Sequence, residues 1–77
     1  MEREKILEII RKIVEEEYGA DRIKEIEAFG PFEGEDLDVK IYVKEIEKYK
    51  DTHKVWTKLF DTLYDLDLDV PFIIIKA

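Results

Sequence analysis

No cysteine, serine, asparagine or glutamine occurs anywhere in the sequence, and His53 is its one histidine. Without cysteine there is no disulfide, no thiolate nucleophile and no cysteine-ligated zinc. Without serine the serine-based triads are excluded, and one histidine cannot supply a His–His metal pair within a chain. Long apolar runs are missing as well: the longest, residues 70–75 counted through Pro71, falls far short of the roughly 20 residues a membrane helix needs. The N-terminal stretch MEREKILEIIRK is charged and amphipathic from its second residue, which is unlike a cleavable signal and leads us to expect a cytoplasmic protein. A basic excess is the last absence. Thirteen Lys and Arg stand against twenty Asp and Glu, a net charge of −7, which argues against a basic nucleic-acid footprint. What remains for chemistry is carboxylates, lysines, four tyrosines, three threonines and backbone amides.

Seventy-seven residues allow one domain, residues 1–77, with a core too small to enclose a large cleft. With 45% apolar residues the chain is too hydrophobic for a disordered acidic tail. A charged fraction of 43%, rich in Glu and Lys and free of the thermolabile amides, suits a hyperthermophile protein; an idealised designed sequence would look the same.

Residues 2–18 carry Ile6, Ile9, Ile10, Ile13 and Val14 at helical spacing, so they read as an amphipathic helix stopped by Gly19. Residues 22–29 alternate weakly and predict a strand. GPFEGE, residues 30–35, is a loop. In the next strand Leu37, Val39, Ile41 and Val43 share one face, and Asp36, Asp38, Lys40 and Tyr42 the other. Residues 45–50 read as a charged connection. Asp51 or Thr52 can cap a second helix whose Val55, Trp56, Leu59, Phe60, Leu63 and Tyr64 form one apolar stripe. An acidic turn over 65–69 leads to a last strand, 70–76, apolar enough to be central or nearly so. The order α-β-β-α-β predicts a two-layer α/β sandwich with a three-stranded mixed sheet, its last two strands parallel across a βαβ crossover.

Charge is segregated along this order. Glu33, Glu35, Asp36 and Asp38 form one acidic cluster and Asp61, Asp65, Asp67 and Asp69 another, while six lysines fall between residues 40 and 58. Parallel neighbouring strands bring both clusters to one edge, where like charge costs stability unless a cation is held. Asp36-Leu37-Asp38 sets two carboxylates on one strand face about 7 Å apart, a spacing suited to Mg²⁺ or Mn²⁺.

Phe29-Gly30, Gly34 and Asp36-Leu37-Asp38-Val39 together resemble the minimal nucleotidyltransferase family, whose fold is the core of the DNA polymerase beta superfamily. By element order the resemblance runs over residues 6–75, and by motif over 29–43 and 66–75. It implies that Asp36 and Asp38 are metal-binding, catalytic aspartates. It also implies that the third carboxylate is Asp69, with Asp67 as the other fit, and that Gly30 and Gly34 belong to a cofactor-binding loop. The implied cofactors are Mg²⁺ or Mn²⁺ and an NTP, the implied reaction is transfer of a nucleoside monophosphate to a hydroxyl, and the implied partner is a helical protein, as in toxin–antitoxin pairs. Pro31 stands where the family has serine, Phe32 and Glu33 replace its basic residues, and the loop is about half its usual length, so the chain reads as a degenerate member.

Other readings compete. The Asp36/Asp38 pair can be a solvated strand face or charge guarding an edge. The GPFEGE loop can be an ordinary turn, His53 a surface residue, and Trp56, Phe60 and Tyr64 core. The whole chain can be a non-catalytic interaction module. Tyr42, Tyr49, Trp56 and Tyr64 exceed what three strands and two helices can cover, which predicts an apolar patch and either a homo-oligomer or a dedicated partner.

Overall fold

The computed structural model describes residues 1–46 and 49–77, with the backbone course alone for 49–51. Helix α1 (Arg3–Tyr18) leads through a single 3₁₀ turn (Ala20–Arg22) into strand β1 (Ile23–Phe29), followed by β2 (Asp38–Val43), α2 (Tyr49–Asp65) and β3 (Phe72–Lys76). This is an α+β fold with two helices and a three-stranded mixed sheet, in the order β1-β2-β3. β1 runs antiparallel to β2, and β3 parallel to it.

Each element follows from its pattern. In α1 the residues that fall on one helical face, Ile6, Ile10, Ile13, Val14 and Tyr18, are buried. Gly19 adopts φ +92° and returns its N–H to the Glu15 carbonyl at 2.8 Å, a conformation that favours glycine. Strict alternation in β2 sends Val39, Ile41 and Val43 into the core with Leu37 before them. Val55, Leu59 and Leu63 of α2 close that core from above, and both helices share it.

Three expectations change. β3 is an edge strand, not a central one, because β2 takes the middle position and no fourth strand exists among the described residues. Thr52 is not at the start of α2, which already includes Tyr49, and the side chain of Asp51 lies outside the described residues. The connection expected over 45–50 falls partly on residues 47 and 48, outside the described residues.

The aromatic row of α2 also differs from expectation. Val55, Leu59 and Leu63 are buried, but Trp56, Phe60 and Tyr64 keep 43%, 48% and 74% of their surface exposed. A three-stranded sheet is wide enough to cover one row of an α2 face that carries two. No helix among the described residues is long and apolar enough to cross a membrane.

Candidate acidic site and aromatic groove

The two acidic clusters do meet. Beyond the β2–β3 ladder, the Asp36 N–H donates to the Asp69 carbonyl at 2.8 Å, and the Asp69 N–H donates to Asp36 Oδ2 at 2.7 Å. Parallel pairing of β2 with β3, with Val39 opposite Phe72, places Asp36 level with Asp69 three residues earlier on each strand. The side chain of Asp36 thus serves partly as a clamp on the turn that launches β3.

Asp38 lies on the sheet face opposite the helices, yet only 6% of its surface is exposed. The 30–37 loop folds over it. A Cβ built on Gly30 would sit 2.5 Å from Asp38 Oδ2, and Gly30 itself holds φ +73°, so glycine is required there on two counts. Asp38 Oδ2 is buried without a hydrogen-bond partner. A solvated strand face does not describe this residue. A buried carboxylate oxygen without a donor is costly.

Glu35 supplies the neighbouring group. Its Oε1 accepts from the Phe32 N–H at 3.2 Å, while the Glu35 N–H donates to the Phe32 carbonyl at 3.0 Å, so the two residues close the turn reciprocally. Its carboxyl is pushed above the usual glutamate range, chiefly by a hydrogen bond shared with Asp38, then by burial and by the negative charge of Asp38 and Asp69; the Phe32 N–H opposes this. Two carboxyls share a hydrogen bond only if one of them holds a proton. With both ionised, the two carboxyls repel each other.

Glu35 was visible in the sequence as part of the first acidic cluster, but the D-h-D alternation selected Asp36 and Asp38 over it. Gly34 holds φ +83° with open space where a Cβ would sit, so its part is in the backbone of the turn. Among the described residues, no group of three or more His, Asp or Glu side chains is arranged to hold a metal ion; what is assembled is a buried carboxylate, an adjacent glutamate whose carboxyl is pushed above its usual range, and a third carboxylate tied to the backbone of the fourth.

The loop amides offer a phosphate little. Pro31 has no N–H, and those of Phe32 and Glu35 are spent within the turn.

A second feature adjoins the acidic edge. Trp56, Phe60 and Tyr64 form a ladder along α2, with Trp56 and Phe60 stacked at 5.2 Å between centroids and Phe60 and Tyr64 at 6.2 Å; Trp56 also meets Phe72 of β3 at 5.7 Å. These rings, with Leu63, Leu68 and Val70, line an open groove of about 470 Å³ that ends at Asp67 and Asp69. Of the aromatics expected to leave an apolar patch, Trp56 and Tyr64 line this groove with Phe60 and Phe72; Tyr42 does not, and the Tyr49 side chain lies outside the described residues.

No family model, curated protein or solved structure matches this chain.

Proposed function

We propose that this chain is a degenerate, minimal nucleotidyltransferase-like domain that binds a divalent cation, Mg²⁺ or Mn²⁺, at its acidic edge. The observation that carries this reading is Asp38 Oδ2, buried and without a hydrogen-bond partner, beside a Glu35 carboxyl that holds its proton more tightly than usual. Asp38 would be the anchoring ligand, with Glu35, Asp36 and Asp69 able to contribute oxygens; Asp36 has one oxygen committed to the Asp69 N–H. Hard carboxylate oxygens are the donor set these ions prefer. When bound, the ion would neutralise the converging charge and offer Lewis acidity to a phosphoryl oxygen.

Transfer of a nucleoside monophosphate from an NTP is the reaction the resemblance implies. Pro31 and the internally satisfied Phe32 and Glu35 amides weaken the triphosphate-holding half of such a site, so cation binding is the function we assign first and transfer second. On this reading the protein works in the cytoplasm with Mg²⁺ available, and a helical partner protein would supply what the small domain lacks. The exposed aromatic groove favours a second reading, an interaction module without catalysis.

Two assays separate these readings. Titration of Mn²⁺, followed by loss of the free-ion electron paramagnetic resonance signal, should show binding to the wild type and far weaker binding to Asp38→Asn. Incubation with labelled ATP, Mg²⁺ and hydroxyl acceptors then reads transfer. Cation binding without transfer above the Asp38→Asn control keeps the cation site and removes the transfer reaction; no cation binding at all removes the proposal and leaves the interaction module.

A further inference from the structure

The two edges of the sheet are treated differently by the sequence. β1 exposes Lys24, Glu25 and Glu27 and carries a register irregularity between Ile23 and Glu25. Charges and bulges of this kind keep an edge from pairing with another strand. β3 has neither. From Val70 to Ile75 it is uncharged, it pairs in unbroken register with β2, and Ile73 leaves 54% of its surface exposed on the face away from the helices.

The direction of its free backbone groups can be read from two bonds. The Pro71 carbonyl accepts from the Val39 N–H, and the Ala77 N–H donates to the Val43 carbonyl, so odd-numbered residues of β3 turn toward β2. By period-two alternation, the N–H and C=O groups of Phe72, Ile74 and Lys76 point outward. The aromatic groove of α2 borders this edge through the Trp56–Phe72 contact. Apolar surface is thus continuous from the groove, across the edge, to Ile73.

Charge identifies the occupant. Asp67 and Asp69 precede β3, and Lys76 ends it. An antiparallel strand with the same polarity of charge would bring its Lys76 end alongside this acidic end and its acidic end alongside this Lys76, without setting a Lys76 directly opposite an Asp. A second copy of β3 about a two-fold axis meets that requirement, and its even-numbered residues face even-numbered ones, as paired donors and acceptors must. We propose that β3 pairs antiparallel with β3 of a second copy, giving a continuous six-stranded sheet flanked by two facing aromatic ladders. The guarded β1 edges would then be outermost, so that the assembly closes as a dimer and does not grow into a fibre.

The test is the mass of the full chain by light scattering over a dilution series, for the wild type and for Ile73→Lys, which adds a charge at an exposed edge position. The wild type should have twice the 9.2 kDa chain mass and the variant the chain mass, with unchanged circular dichroism. Amide exchange in the wild type gives a reading that needs no variant: Phe72, Ile74 and Lys76 should exchange at least ~10-fold more slowly in the concentrated sample than after dilution. A wild type that is monomeric up to about 1 mM overturns the proposal, including the case in which the edge is reserved for a strand of another protein. So does a dimer in which these three amides exchange freely, or a folded Ile73→Lys variant that remains dimeric.

Discussion

Asp36 and Asp69 hold each other through two hydrogen bonds, Asp36 N–H to the Asp69 carbonyl at 2.8 Å and Asp69 N–H to Asp36 Oδ2 at 2.7 Å. This reciprocal pair fastens the entrance of β2 to the entrance of β3, and it brings two acidic segments 33 residues apart to one place. The side chain does for the turn what a capping residue does for a helix. Asp36→Ala should therefore cost about 1 kcal/mol of stability, and Asp36→Asn, which keeps an acceptor oxygen, clearly less. Urea denaturation of the three proteins checks the order; equal losses for Ala and Asn would show that the bond to Asp69 contributes nothing.

Gly30 is fixed by Asp38. Gly30→Ala meets both the positive φ and the 2.5 Å approach to Asp38 Oδ2, and should destabilise by about 2 kcal/mol. Trimming the carboxylate in Gly30→Ala/Asp38→Ala should return part of that loss, leaving the backbone strain of roughly 1 kcal/mol. Strict additivity in this double-mutant cycle would place the cost in the backbone alone.

Much of this arrangement was legible in the sequence, and the exceptions have physical causes. The alternation of Leu37, Val39, Ile41 and Val43, the α1 stripe and the Gly19 stop each depend on a local period or a single conformational preference, and each was read correctly. The α2 stripe was read too wide: residues 55, 59, 63 and residues 56, 60, 64 are adjacent rows with the same spacing. Only the width of a three-stranded sheet decides which row is buried. FIII in β3 looked central because a run apolar on both faces suits a buried strand, whereas here one side of it is an open edge. Glu35 was missed because its position is set by the reciprocal bonds with Phe32, which no strand alternation foretells. Convergence of the acidic clusters was readable from topology, but not the burial of Asp38 beneath its own loop.

The two rows of α2 differ in energy. Leu59→Ala opens a cavity in the fully buried core and should cost 2–5 kcal/mol (roughly), enough to unfold a domain of this size at moderate temperature. Phe60→Ala, on the half-exposed ladder, should cost about 1 kcal/mol or less in the monomer. A loss at Phe60 as large as that at Leu59 would mean that the aromatic row is core after all.

Two glutamates titrate with opposite consequences. Glu17 is held below the usual range, first by its hydrogen bond from Lys58, which also bonds Glu16 and is itself pushed up. Its contribution is present above the unfolded value and is lost as pH falls through the folded one. Glu35 is held above the range by Asp38, so the folded state binds its proton more tightly. Its contribution is full below the ordinary glutamate value of 4.5 and is lost as pH rises through the raised one. In the metal-free protein, Glu35→Gln should therefore raise stability near neutral pH and flatten the decline above pH 4.5. Melting temperature against pH in EDTA checks this; a Glu35→Gln curve parallel to the wild type would contradict it. Lys58→Met should cost stability near neutral pH, and its difference from the wild type should shrink as pH falls through the Glu17 range.

The most direct test of the acidic site is a melting curve of the wild type and of Asp38→Asn, each in EDTA and in millimolar Mn²⁺, with a monovalent salt matched in ionic strength. In EDTA, Asp38→Asn should melt higher than the wild type, because the amide removes one of two adjacent like charges and offers an N–H to Glu35. A cation bound only by the folded state stabilises it by RT ln(1 + [L]/Kd), about 2.7 kcal/mol at a hundredfold excess over Kd. Mn²⁺ should therefore raise the wild-type melting temperature by roughly 10 °C or more for a chain of this length. The increment in Asp38→Asn should be small, and the monovalent salt should give little in either protein. Equal Mn²⁺ increments in both proteins, or none beyond the monovalent control, would contradict the cation site and leave the fold standing without it.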